Sequence, residues 1–184
     1  LTPTTSNVVS TSFTPSASFF NITTYTGNSS SQKLTTGLDM SGSGGLFWLK
    51  QRNGNGDHWL YDNERGSNNH LRITTDAASN YGDSYNVDFE NDGVTLGSNG
   101  SINYSGNTYV GWSFLEKPGF FDVVTYTGSG ATMTVPHNLG STPGMIIIKG
   151  SNISGSNWAV YHKELDVNDV IFLNYTSQNK IYYY

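Results

Sequence analysis

The sequence predicts an all-β protein: an antiparallel β-sandwich built as two related repeats, the second of them incomplete. Three observations lead there. Aromatic and β-branched residues recur in short bursts separated by Gly, Asn and Ser, the pattern of short strands joined by tight turns. No window carries the i, i+3, i+4, i+7 apolar stripe of a helix, and Ala and Leu are scarce. Finally, the chain repeats itself at an interval of about 100 residues.

The expected strands follow in order. "FFNITTYTG" from Phe19 alternates and is rich in β-formers, and "QKLTTGL" is short. "GLFWLKQ" is apolar enough to be buried on both faces. "HWLYD", "HLRITT", "YNVDFEND" and "GVTLGS" come next. In "NDG" (91–93) the Asp-Gly pair suggests a hairpin turn with positive φ. The last strand of the copy, "NTYVGWSFLE", puts Val110, Trp112 and Phe114 on one face and Tyr109, Gly111 and Ser113 on the other. Seven or eight short strands in roughly 100 residues is a sandwich count.

The repeat sets the domain organisation. "TYTG" recurs at 24–27 and 125–128, and Leu38 matches Leu139, both at an offset of 101. "GGLFWLK" (44–50) aligns with "PGMIIIK" (143–149) at 99, which sets Trp48 against Ile147, and the same offset carries Trp59 onto Trp158. "HLRITT" then meets "VIFLNYT" at 101 again. Residues 18–117 are read as the first repeat, 118–184 as the second, and 1–17 as a connector or the end of a preceding unit. The second repeat has no counterpart of residues 93–116. A sandwich without those strands exposes its core and an open edge, so the expectation is that the chain continues or that a neighbour supplies them. A start at Leu1, without Met or signal peptide, likewise suggests part of a longer protein.

Composition narrows the function classes. The 184 residues are only 12% charged, with a net charge of -5. Nine Lys and Arg that never cluster argue against nucleic acid and anionic lipid. No apolar run reaches the ~18–20 residues of a membrane helix. There is no Cys, so no disulfide holds the fold. Six N-x-S/T triplets are expected by chance in a chain this rich in Asn, Ser and Thr, and are not read as glycosylation sites.

Several blocks also carry a resemblance. "FFDVVTYTG…VPHNLGSTPGMIIIK…NWAVYHKEL…IFLNYT" resembles a recurring repeat of tailed-phage structural proteins, above all tail-fibre and other appendage proteins of marine and cyanobacterial phages. "FWLKQRNGNGDHWLYDNERG" with "DGVTLGSNGSINYSGNTYVGWSF" is similar to the unit that often precedes it. The resemblance covers about residues 12–178, and "PHNLGSTPGMIIIK…NWAVYH" is its most specific part. It implies a jelly-roll or laminin-G-like, concanavalin-like sandwich in a virion component that adheres to something. The implied setting is the virion surface, with self-association (a trimer, as is usual in fibres), other virion subunits and host-surface glycans as partners. It carries over no catalytic or ligand residue.

The candidate residues were weighed against plain structural roles. Tyr25, Tyr126, Trp48, Trp59, Trp158, Trp112, Leu38 and Leu139 occupy repeat positions or apolar strands, and are expected to form the repeat core rather than a sugar-stacking surface. Ligand contact is expected instead from variable loops: Asn80, Tyr81, Asp83 and Tyr85 in "DAASNYGDSYN", and Arg52, Asp57 and His58 before the fourth strand. Asp88, Glu90 and Asp92 imitate the start of a calcium loop, but an EF-hand needs Glu twelve positions along, where Asn99 stands. Asp88 and Glu90 would lie about 6–7 Å apart on one strand face, a glycosidase-like separation that any such pair gives. The four His are isolated, and His137 is expected to hydrogen-bond the backbone of its own Pro/Gly turn. No cofactor, metal or enzymatic activity is expected. The function expected is therefore a virion structural protein of a phage fibre or appendage, adhesive or architectural. The rivals are a purely architectural subunit, a polysaccharide depolymerase and a cellular surface adhesin.

Overall fold

A computed structural model describes residues 19–77, 80–81, 85–166, 169–175 and 179–180. The first repeat is a two-sheet antiparallel sandwich. Its larger sheet contains β1 (Phe20–Thr26), β3 (Gly45–Gln51), β4 (His58–Asp62), β5 (Asn69–Arg72), β6 (Asn80–Tyr81) and β9 (Thr108–Leu115), in the order β1-β9-β3-β4-β5-β6. The smaller sheet contains β2 (Gln32–Thr35), β7 (Val87–Glu90) and β8 (Gly93–Leu96), in the order β2-β8-β7. Two single-turn helices, α1 (Met40–Ser43) and α2 (Gly100–Asn103), close the ends, each capped by the side chain before it: Asp39 accepts from Gly42 N and Asn99 from Ser101 N.

The alternation read in the last strand sets the core. Tyr109, Gly111, Ser113 and Leu115 of β9 are buried, whereas Val110, Trp112 and Phe114 are half-buried on the outer side. Tyr109 stacks on Tyr25 with ring centroids 4.9 Å apart, and each hydroxyl donates to a carbonyl of α2: Tyr25 to Ile102 and Tyr109 to Gly100. Phe47 and Leu49 of β3, Trp59 and Tyr61 of β4, and Leu34, Val87, Val94 and Leu96 of the smaller sheet complete one cluster. Gly111 is needed because the Phe47 ring fills the space a Cβ would take.

The expected hairpin at 91–93 forms, but its turn is different. Glu90 pairs with Gly93 across Asn91-Asp92, and neither turn residue has positive φ. Gly93 opens β8 instead, where a Cβ would strike the Leu34 carbonyl of β2. Its requirement is close strand approach, not turn conformation.

The second repeat forms one sheet of β10 (Met145–Ile148), β11 (Ala159–His162), β12 (Asp169–Phe172) and β13 (Asn179–Lys180), in that order. This reproduces β3-β4-β5-β6 strand for strand. Val160, the counterpart of Tyr61 at offset 99, pairs with Ile147 as Tyr61 pairs with Phe47. Ile147 therefore takes the place of Phe47 and Ile148 that of Trp48, one residue from the alignment read in the sequence. "MIII" is apolar at every position, so composition could not fix the register.

Two core expectations are corrected. Tyr126 is 50% exposed while its counterpart Tyr25 is 8% exposed, because residues 122–128 form no strand and have no β9 to pair with. Trp112 does not enter the sandwich core; it lies on the outer face beside Trp48, ring centroids 5.5 Å apart. Trp48 is also outside the main core, at the margin of a second cluster. Leu38, Trp59 and Trp158 are buried as expected, and Leu139 is half-buried.

Candidate functional site: the junction between the repeats

Among the residues expected to contact ligand, those that are described are engaged within the protein. Asp57 accepts from Thr74 Oγ1 at 2.7 Å and pairs with Arg72 at 3.2 Å. His58 Nδ1 accepts from the Trp48 indole at 3.0 Å, and burial, then Lys50, holds its pKa below the ordinary value, Asp57 opposing. Tyr85 packs on Trp59 and His70, with centroids 5.3 and 5.1 Å away. Arg52 is exposed, its backbone N–H donating to Thr108 O. Asp83 and the side chains of Asn80 and Tyr81 lie outside the described residues.

The acidic run does not converge. Asp88 accepts from Asn86, Glu90 from Thr95, and Asp92 pairs with Lys33 at 2.7 Å. Among the described residues no group of three His, Asp or Glu is placed to hold a metal ion. His137 Nδ1 accepts from Leu139 N at 3.2 Å, the turn contact expected of it. The 62–70 segment, expected to be an outward loop, is partly internal. Asp62 is buried, accepts from Arg65 N at 2.9 Å and Nε at 2.6 Å, and forms an ion pair with the same guanidinium.

The most organised feature outside the core joins the two repeats. Leu60, Leu71 and Ile73 present an apolar patch on the outer face of β4 and the end of β5, flanked by Leu46 and Trp48. Trp158 of the second repeat is seated on it and is 3% exposed. Its indole N–H donates to Arg72 O at 3.0 Å, and its backbone N–H donates to Asn174 Oδ1 at 2.9 Å. Asp76 O receives Gly155 N at 3.1 Å and Lys149 Nζ at 3.4 Å. The sequence assigned Trp158 to core packing, which holds; that the core belongs to the other repeat had no signal in it.

A second junction feature is a cleft of about 230 Å³ lined by Glu64, Glu116, Asp122 and residues 123–125 and 136–138. Burial first, and then the charges of Glu64, Asp122 and Asp62, push the Glu116 carboxyl up to about 7.

A family model described as a domain of unknown function (DUF7483) matches residues 14–182, a span that takes in both repeats and the junction. The chain belongs to the DUF7483 family. No curated protein and no solved structure matches this DUF7483 chain significantly.

Proposed function

We infer that the chain is an architectural part of an extracellular particle, a phage tail fibre or similar appendage, in which sandwich repeats stack on one another. The observation that carries this is Trp158: a large side chain of one repeat is buried on the outer sheet face of the other and hydrogen-bonded there. A unit whose outer face receives its neighbour is suited to being one link in a series. The resemblance to phage appendage repeats supplies the setting. The architectural form is favoured over receptor binding because Asp57, His58 and Tyr85 are occupied by internal partners. Immunogold labelling with antibody against the chain should decorate the appendages of purified virions; unlabelled particles would sink the reading. A glycan array should stay blank, and binding that depends on the 76–86 loop would restore the adhesive alternative.

A further inference from the structure

The second repeat has an open slot, and the first repeat shows what fills its equivalent. Among the described residues β10 pairs with β11 alone, whereas β3, its counterpart, is also paired along its other edge by β9, which in turn pairs with β1. The counterpart of β1 is present at 121–128 but forms no strand. The consequence is visible in burial: Ile147 is 42% exposed where Phe47 is 0% exposed, and Tyr126 is left without the ring that stacks on Tyr25. One strand, lying between 121–128 and β10, is missing from the larger sheet.

The chain carries a sequence for that strand at its other end. At the same offset of 101, Asn7–Thr14 ("NVVSTSFT") falls on Thr108–Leu115 ("TYVGWSFL"), with Val9 on Val110, Ser12 on Ser113 and Phe13 on Phe114. Phe19-Phe20 then falls on Phe120-Phe121, so the spacer between strand and next repeat has the same length in both places. Size complementarity points the same way. Gly111 must be glycine because the Phe47 ring occupies the Cβ position. Its match, Ser10, would face Ile147, a shorter side chain that leaves room for a hydroxymethyl group.

We propose that residues 7–14 of one copy of this chain insert beside β10 of a second copy, antiparallel, and complete its larger sheet. This rests on the architectural reading above and names the partner: another molecule of the same chain, joined head to tail by strand addition. In the register of β9 on β3, Phe13 meets Ile146, Ser12 meets Ile147 and Thr11 meets Ile148. The geometry is continuous with an interface the chain already has. β9 of the first repeat leads into the second through residues 116–119, with Leu115 N bonded to Phe19 O and Phe19 packed 5.9 Å from Phe120. An inserted 7–14 strand leads into the donor's own first repeat through a spacer of the same length. The contact is heterologous, so it generates a filament or a closed ring rather than a two-fold dimer.

Light scattering coupled to gel filtration of the 184-residue chain tests this. The expected result is a mass that rises with concentration in multiples of 20.1 kDa. Removal of residues 1–14, or Val9→Pro, which blocks strand pairing, should leave monomers at every concentration. A synthetic peptide of residues 5–16, in excess, should bind the shortened chain and break the oligomers of the intact one; its Val9→Pro version should do neither. An intact chain that stays monomeric, or oligomers that survive the deletion, would overturn the proposal. Neither outcome bears on whether the protein is found on virions.

Discussion

The two repeats have the same strand order and opposite exposure. In the first, β3 lies between β9 and β4, and the smaller sheet covers its inner face, so Phe47 and Leu49 lose all contact with solvent. In the second, β10 lies at an edge, and Ile146, Ile147 and Ile148 are each exposed by 40% or more. The residue types are equally apolar, so hydrophobicity does not decide the difference; the partner strand does. A sheet edge can be ordered by its own ladder, but its side chains are desolvated only when a neighbouring strand and a facing layer are both present. Trp158 shows the exception. It is buried because the first repeat's outer face serves as the layer its own repeat lacks.

The sharpest way to break this comparison is a matched pair of truncations. Phe47→Ala removes a ring from a filled core and should cost about 3–5 kcal/mol of stability. Ile147→Ala, at the same place in the second ladder, should cost about 1 kcal/mol or less, because much of that side chain is already in water. Urea unfolding of each variant measures both. Equal losses would show that the second sheet is covered in solution.

Trp158 provides the next test, with a smaller effect. Its replacement by Ala removes the indole from Leu60, Leu71 and Ile73 and strips Arg72 O of its donor. The expected cost is about 2–4 kcal/mol, confined to the second repeat. Amide exchange should quicken at 145–148 and 159–162 while β3, β4 and β9 keep their protection. Loss of protection throughout would mean that the repeats fold as one cooperative unit.

How much of this was legible beforehand follows from what periodicity can encode. The two-sheet sandwich and the inward set of β9 were readable, since strict alternation in "TYVGWSF" leaves one assignment for Tyr109 and Ser113. Which face is the interior was not. Trp112 and Trp48 look like core by size, yet both belong to an outer face that is apolar because another repeat docks beside it. The β10 register was lost for a related reason: four consecutive apolar residues are compatible with any pairing. The acidic run at 88–92 was read correctly as separate charges, but the internal roles of Asp57 and His58 depend on cross-strand partners that spacing cannot show.

The smallest expected effect concerns pH, and it separates the core of the first repeat from its junction with the second. Glu116, in the junction cleft, has its carboxyl raised from 4.5 to about 7, so the fold holds that proton more tightly than the unfolded chain does. This contribution is complete below about pH 4.5 and is lost as pH rises toward 7. His70, buried among Trp59, Tyr61 and Tyr85, moves the other way: burial first, then Arg72 and Arg65, lowers it from 6.5 to about 4. Its neutral ring supports the fold above pH 6.5, and that support is lost as pH falls toward 4. Between those limits the two oppose each other, and wild-type stability should be nearly flat. Glu116→Gln removes the ionisation, so it should raise the urea midpoint at pH 7.5 and leave it unchanged at pH 4.5. It should also uncover the acid-side loss due to His70, which His70→Phe should then abolish. The Glu116 effect is modest because the side chain is partly solvated and water screens its neighbours. A Glu116→Gln shift of equal size at both pH values would assign the change to packing and not to the charge of the cleft.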